Sequence, residues 1–88
     1  MTARVRSIGP EVDLIFGQNM VRLRDKLGWS RQELCIQVRL RTGEDLSVAT
    51  ILAMEDPKRE RRISIGEAKA IAKTFGVTVD SLCREITN

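Results

Sequence analysis

Apolar residues return along this chain at helical intervals, and turn residues divide the pattern into five stretches. Phe16, Met20, Leu23 and Leu27 recur at offsets of four, three and four, which marks one face of an α-helix. Pro10 suits the first turn of that helix, where its missing N–H costs nothing, and Gly28 suits its left-handed cap. Ser30 and Glu33 are spaced as a capping box for a second helix. Leu34, Cys35 and Val38 supply its inward stripe, and it is expected to run to about Arg41. Residues 42–45, Thr-Gly-Glu-Asp, signal a turn. Asp45 or Ser47 then caps a third helix, with Val48, Ile51, Leu52 and Met54 among its apolar residues. Pro57 stops it.

Residues 57–63 read as a charged loop. Ser64 and Glu67 make a second capping box and open a helix that ends at Gly76, with Ala68, Ile71, Ala72 and Phe75 facing inward. Thr78 caps a last helix that turns Val79, Leu82 and Ile86 inward. Strand signals are weak, and there is no internal repeat or low-complexity stretch. The pattern predicts an all-α fold of five short helices joined by short links.

At 88 residues the chain is one domain. A chain this short buries only about 60–65% of its unfolded surface, so self-association is an expected source of stability. The absence of Tyr and His, with two Phe and one Trp, argues against a stacking platform for single-stranded nucleic acid. Trp29 is expected to pack partly beside helix two.

The formal charge of +3 is a mild bias, and its distribution is more informative. Up to Trp29 there are five basic and three acidic residues; residues 30–63 carry seven and six; the remainder carry three and three. Positive charge therefore lies in the front two-thirds. Lys58, Arg59, Arg61 and Arg62 place four cations in one loop.

The only thiols are Cys35 and Cys83. Each sits in a helical pattern, where a buried free thiol is expected. With no His and no ligand spacing, neither a metal nor another cofactor is expected. No apolar run approaches the length of a membrane span, and the N-terminus lacks a signal-peptide core. A cytoplasmic protein with no membrane contact is the expectation. An enzyme is not expected either: there is no Gly-rich phosphate loop, and capping or solvation explains the paired carboxylates.

Three segments carry a resemblance: FGQNMVRLRDKLGWSRQELC (Phe16 to Cys35), SVATILAMED (Ser47 to Asp56) and SIGEAKAIAKTFGVTVDSL (Ser64 to Leu82). In this order and spacing they resemble the phage repressor and Cro-like helix-turn-helix family, also called lambda-repressor-like or XRE-type. The resemblance covers Phe16 to Ile86. It implies a compact five-helix helix-turn-helix domain over residues 10–88, behind a basic N-terminal arm, residues 1–9, that contains Arg4 and Arg6. It also implies a transcriptional regulator, a repressor, acting on double-stranded DNA as a homodimer. Residues 79–86 are the expected dimer contact.

In that family helix two crosses the DNA backbone and helix three enters the major groove. The resemblance therefore implies that Arg31 and Gln32, at the start of helix two, meet phosphate. Ser47, Val48, Ala49, Thr50 and Ala53 fall where base edges are read. The loop with Lys58, Arg59, Arg61 and Arg62 corresponds to a backbone-contacting loop. Arg24 and Glu55 fall where the family has an internal ion pair joining helix one to helix three, a structural role.

The chain departs from the family pattern in two places. The link before helix three is about six residues longer on alignment to the family pattern, through either an extended helix two or a loop. In it Arg39 and Arg41 offer new phosphate contacts, whereas Glu44 and Asp45 would repel DNA. The reading positions contain no Arg, Lys, Asn or Gln. Ser and Thr can bond several bases, Val and Ala can touch a thymine methyl, and DNA shape can supply the rest. The alternative reading is a protein-interaction module, antitoxin-like or accessory, whose partner covers the apolar helix-three face.

Overall fold

The computed structural model describes residues 10–58 and 62–85. These form five helices: α1 (Pro10–Leu27), α2 (Arg31–Thr42), α3 (Val48–Glu55), α4 (Ile65–Phe75) and α5 (Val79–Leu82). Among the described residues no strand is present, and no helix is long and apolar enough to cross a membrane.

Short hydroxyl side chains open four of the helices, because each accepts an N–H that the first turn leaves without a partner. Ser30 Oγ accepts from Glu33 N at 3.0 Å, Ser47 Oγ from Thr50 N at 3.1 Å, and Thr78 Oγ1 from Ser81 N at 3.0 Å. At α4 the box is complete: Ser64 Oγ accepts from Glu67 N, and Glu67 Oε1 accepts from Ser64 N, both at 3.1 Å. Only half of the box expected at α2 forms. The Glu33 carboxylate turns along its own helix and accepts from Gln37 Nε2 at 2.8 Å.

α2 runs to Thr42, and residues 43–47 connect it to α3. Residue 43 must turn out of the helix with positive φ, which Gly43 does at 79° while donating its N–H to Arg39 O at 3.0 Å. Thr42 reinforces the exit: its hydroxyl donates to Val38 O at 2.7 Å and accepts from Glu44 N at 3.0 Å.

The five stretches meet in one core. Phe16 and Met20 of α1 join Leu34 and Val38 of α2, Ile51 and Met54 of α3, Ile63 of the loop before α4, Ala68 and Ile71 of α4, and Leu82 of α5. Leu27 departs from the expected inward face and is 50% exposed. Its register is right, but it is the last residue of α1, beyond the packed layers. Leu52 and Val48 are likewise exposed, at 48% and 43%.

Gly17 sets how closely α1 and α3 approach. A β-carbon at this position would overlap the Met54 carbonyl oxygen and crowd Glu55 Cα. The absence of a side chain lets one helix cross the other backbone to backbone. The carboxyl-terminal turn of α3 is therefore pressed into the molecule, while in the preceding turn Ile51 enters the core and Val48 and Ala49 are left outside.

Candidate nucleic-acid interface

Residues of α3 divide at that crossing. Ala53, Met54 and the Glu55 side chain are buried in the last turn. Ser47, Val48, Ala49 and Leu52 are exposed, and Thr50 is half-buried. Ala53 was expected to face base edges; this expectation is corrected, because at 5% exposure it belongs to the packed end of the helix. Of the other residues expected at base edges, Ser47, Val48 and Ala49 are exposed and Thr50 is half-buried.

Glu55 holds that end of α3 in place. Its Oε2 accepts from Arg24 Nε at 2.8 Å and its Oε1 from Arg24 Nη2 at 3.1 Å, a two-pronged bond between guanidinium and carboxylate. Arg24 Nη1 also donates to Trp29 O at 3.0 Å, which ties the α1–α2 turn to the pair. Arg31 joins the same carboxylate, with Nε 2.8 Å from Glu55 Oε1. The residue expected to meet phosphate thus makes an internal ion pair, although 40% of its side chain stays exposed and its Nη groups are without a partner among the described residues.

Arg41 also has an internal position. Its Nη1 donates to Thr74 O at 2.9 Å, near the end of α4, where the carbonyl dipoles favour a cation. Its Nε donates to Gln37 Oε1 at 3.1 Å, and its guanidinium carbon lies 5.7 Å from the centre of the Trp29 ring. Trp29 in turn stacks on Phe75, with ring centres 5.8 Å apart and planes 19° apart. Half-buried Trp29 therefore joins α2 to the end of α4, in keeping with partial packing. Arg62 pairs with Asp13 at 3.0 Å and pins the α3–α4 loop to α1.

Other cations remain outward. Arg39 and Lys58 are exposed and have no side-chain partner among the described residues, and Gln32 is exposed on the first turn of α2. Arg59 and Arg61 lie outside the described residues, as do Arg4, Arg6 and Ile86. Of the expected dimer segment, Leu82 turns into the core, while Asp80, Ser81, Arg84 and Glu85 are exposed. The arrangement brings Arg24, Arg31 and Glu55 together, and leaves Arg39 and Lys58 available to solvent.

Asn19 is a structural residue that the pattern-based reading overlooked. It is 4% exposed and its Nδ2 donates to Leu82 O at 2.7 Å and Arg84 O at 2.9 Å, fastening the end of α5 to α1. A polar residue inside the Phe16–Met20–Leu23 stripe was the available signal. No known protein family, curated protein or solved structure matches the chain at a significant level.

Proposed function

We propose that this chain is a DNA-binding transcriptional regulator with a lambda-repressor-like helix-turn-helix fold, acting as a repressor. In this reading α2 lies across the DNA backbone and the exposed turns of α3 enter the major groove. A cytoplasmic homodimer would present two such helices to two half-sites one helical turn apart. The supporting observation is the mounting of α3. The Arg24–Glu55–Arg31 cluster and the Gly17 crossing hold its carboxyl-terminal end against the molecule, while Val48, Ala49 and Leu52 stand exposed. Arg39 and Lys58, with outward charge, supply contacts suited to phosphate.

The test is titration of the protein into labelled duplex DNA at several salt concentrations, read by fluorescence anisotropy. Binding that weakens with salt is expected, with a shallower salt dependence after Arg39, Lys58, Arg59 and Arg61 become Ala. Arg31, Arg41 and Arg62 are left intact in that variant because each holds two parts of the fold together. Absence of binding at low salt rejects the reading for this chain.

A second reading rests on the apolar pairs left outside. Ile36 and Leu40 on α2 are 46% and 73% exposed, alongside Val48 and Leu52 on α3. Each pair has the i, i+4 spacing of one helix face. A protein-interaction module, antitoxin-like or accessory, would bury them against a partner. Unchanged biological function after removal of the four cations favours this second reading.

A further inference from the structure

The exposed part of α3 has a narrow chemistry. Val48, Ala49 and Leu52 are its outward side chains, and at about 100° per residue they span an arc of roughly 100°. None carries a polar side-chain atom. The two hydroxyls beside them are already engaged. Ser47 Oγ accepts from Thr50 N at 3.1 Å and lies 3.0 Å from Thr50 Oγ1, with which it shares a hydrogen bond. Ala53 is buried. The helix thus presents an apolar tip and little that can form a bidentate bond with a base edge.

In the major groove one feature of the bases answers that chemistry. Thymine alone among the four bases carries a methyl group there, at C5; the other edges are donors and acceptors. Resting on the proposed function, we infer that this protein selects DNA through thymine C5-methyl groups packed against Val48, Ala49 and Leu52. The size of the surface favours this occupant over a protein. An α-helix with its side chains is about 10–12 Å across, which fits the major groove's width of about 12 Å. A stable protein interface needs about 20–30 residues a side, and the exposed apolar side chains of α2 and α3 (Ile36, Leu40, Val48, Ala49 and Leu52) fall far below that. Burial of one methyl group corresponds to about a fourfold change in affinity.

The experiment uses random-sequence duplex pools made by polymerase, with either thymine or uracil opposite adenine. The uracil pool keeps every Watson–Crick pair and loses every C5-methyl. A third pool carries uracil together with 5-methylcytosine, which returns methyl groups to the groove at C·G pairs. The expected result is tight binding to the thymine pool, a drop of fourfold or more for the uracil pool, and recovery with 5-methylcytosine. In Val48→Ala/Leu52→Ala, which keeps only the smaller Ala side chains on this surface, the difference between the pools should shrink with an unchanged salt dependence. Both positions are solvent-exposed and Ala favours the helix, so the fold is retained.

Equal binding of the thymine and uracil pools by the native chain overturns the inference and leaves the DNA-binding reading standing. Loss on uracil without recovery by 5-methylcytosine also overturns it, since duplex shape would then carry the preference. Failure to bind any pool at low salt overturns both.

Discussion

Glu55 and Arg24, separated by 31 positions, meet through two hydrogen bonds of 2.8 and 3.1 Å and lock the end of α3 to the last turns of α1. The Glu55 side chain is 2% exposed and that of Arg24 10%, so neither charge has water to fall back on. Removing one partner leaves the other charged and buried. Glu55→Gln is expected to cost about 3–5 kcal/mol, since the amide cannot balance two guanidinium groups. Arg31→Ala should cost less, about 1 kcal/mol, because 40% of the Arg31 side chain is exposed and Arg24 still holds the carboxylate. Urea unfolding of the two variants checks the ranking. Equal losses would mean that Arg31, not Arg24, is the principal partner.

Gly17→Ala tests the crossing of α1 and α3. In an exposed helix this change gains about 1 kcal/mol through helix propensity. Here the added carbon meets the Met54 carbonyl, which is backbone and cannot swing aside. Net destabilisation is expected, with a melting temperature below that of the native chain. A rise in melting temperature would show that the helices separate at little cost.

The helix starts and the ends of α2 and α4 were legible in the sequence because they depend on neighbours three or four positions apart, whereas α5 stops at Leu82, short of the helix expected to reach Ile86. Ser30, Ser47, Ser64 and Thr78 each cap their own helix, and Gly43 and Gly76 end theirs. The site was legible only in part. Arg31 and Arg41 read as outward cations, but their partners lie 24 and 33 positions away, beyond any local pattern. Ala53 has the same side chain as Ala49, and only the packing of α3 in the assembled fold buries the one and leaves the other exposed.

Asn19→Ala should loosen the end of the chain more than its middle. The substitution removes both donors from the Leu82 and Arg84 carbonyls. A buried acceptor left without a partner costs about 1–3 kcal/mol. Faster amide hydrogen exchange is expected in α5, with α2 and α4 changing only as far as global stability falls. Uniform acceleration across all five helices would show that α5 does not open separately.

Glu44→Gln/Asp45→Asn examines the link ahead of α3. Both carboxylates are exposed and close in sequence to the helix proposed to enter the groove. Their charge opposes that of phosphate, so neutralising them should tighten duplex binding several-fold at low salt. The gain should shrink once the Debye length falls to about 8 Å at physiological ionic strength. Anisotropy titrations of the two proteins at matched salt supply the comparison. An unchanged affinity would place the link away from the DNA.

The two thiols predict a loss of stability at alkaline pH. Burial pushes Cys35 above its ordinary value near 9.0, with the Asp45 charge adding to the effect and a backbone hydrogen bond opposing it. Cys83 is raised by burial first, then by the charges of Asp80 and Asp13. A thiol with a raised pKa keeps its proton in the folded chain at a pH where the unfolded chain has released it. The folded state then binds more protons, and stability falls as pH rises. The contribution is therefore whole below about pH 9 and disappears as pH climbs through the folded-state values. Urea unfolding at about pH 8 and again at about pH 10 should show a steeper fall for the native chain than for Cys35→Ala/Cys83→Ala, in which other titrating groups remain. Asp45→Asn should reduce the part due to Cys35 and leave that of Cys83 alone. Identical pH dependence in the native and doubly substituted chains would assign the alkaline loss to groups other than these cysteines.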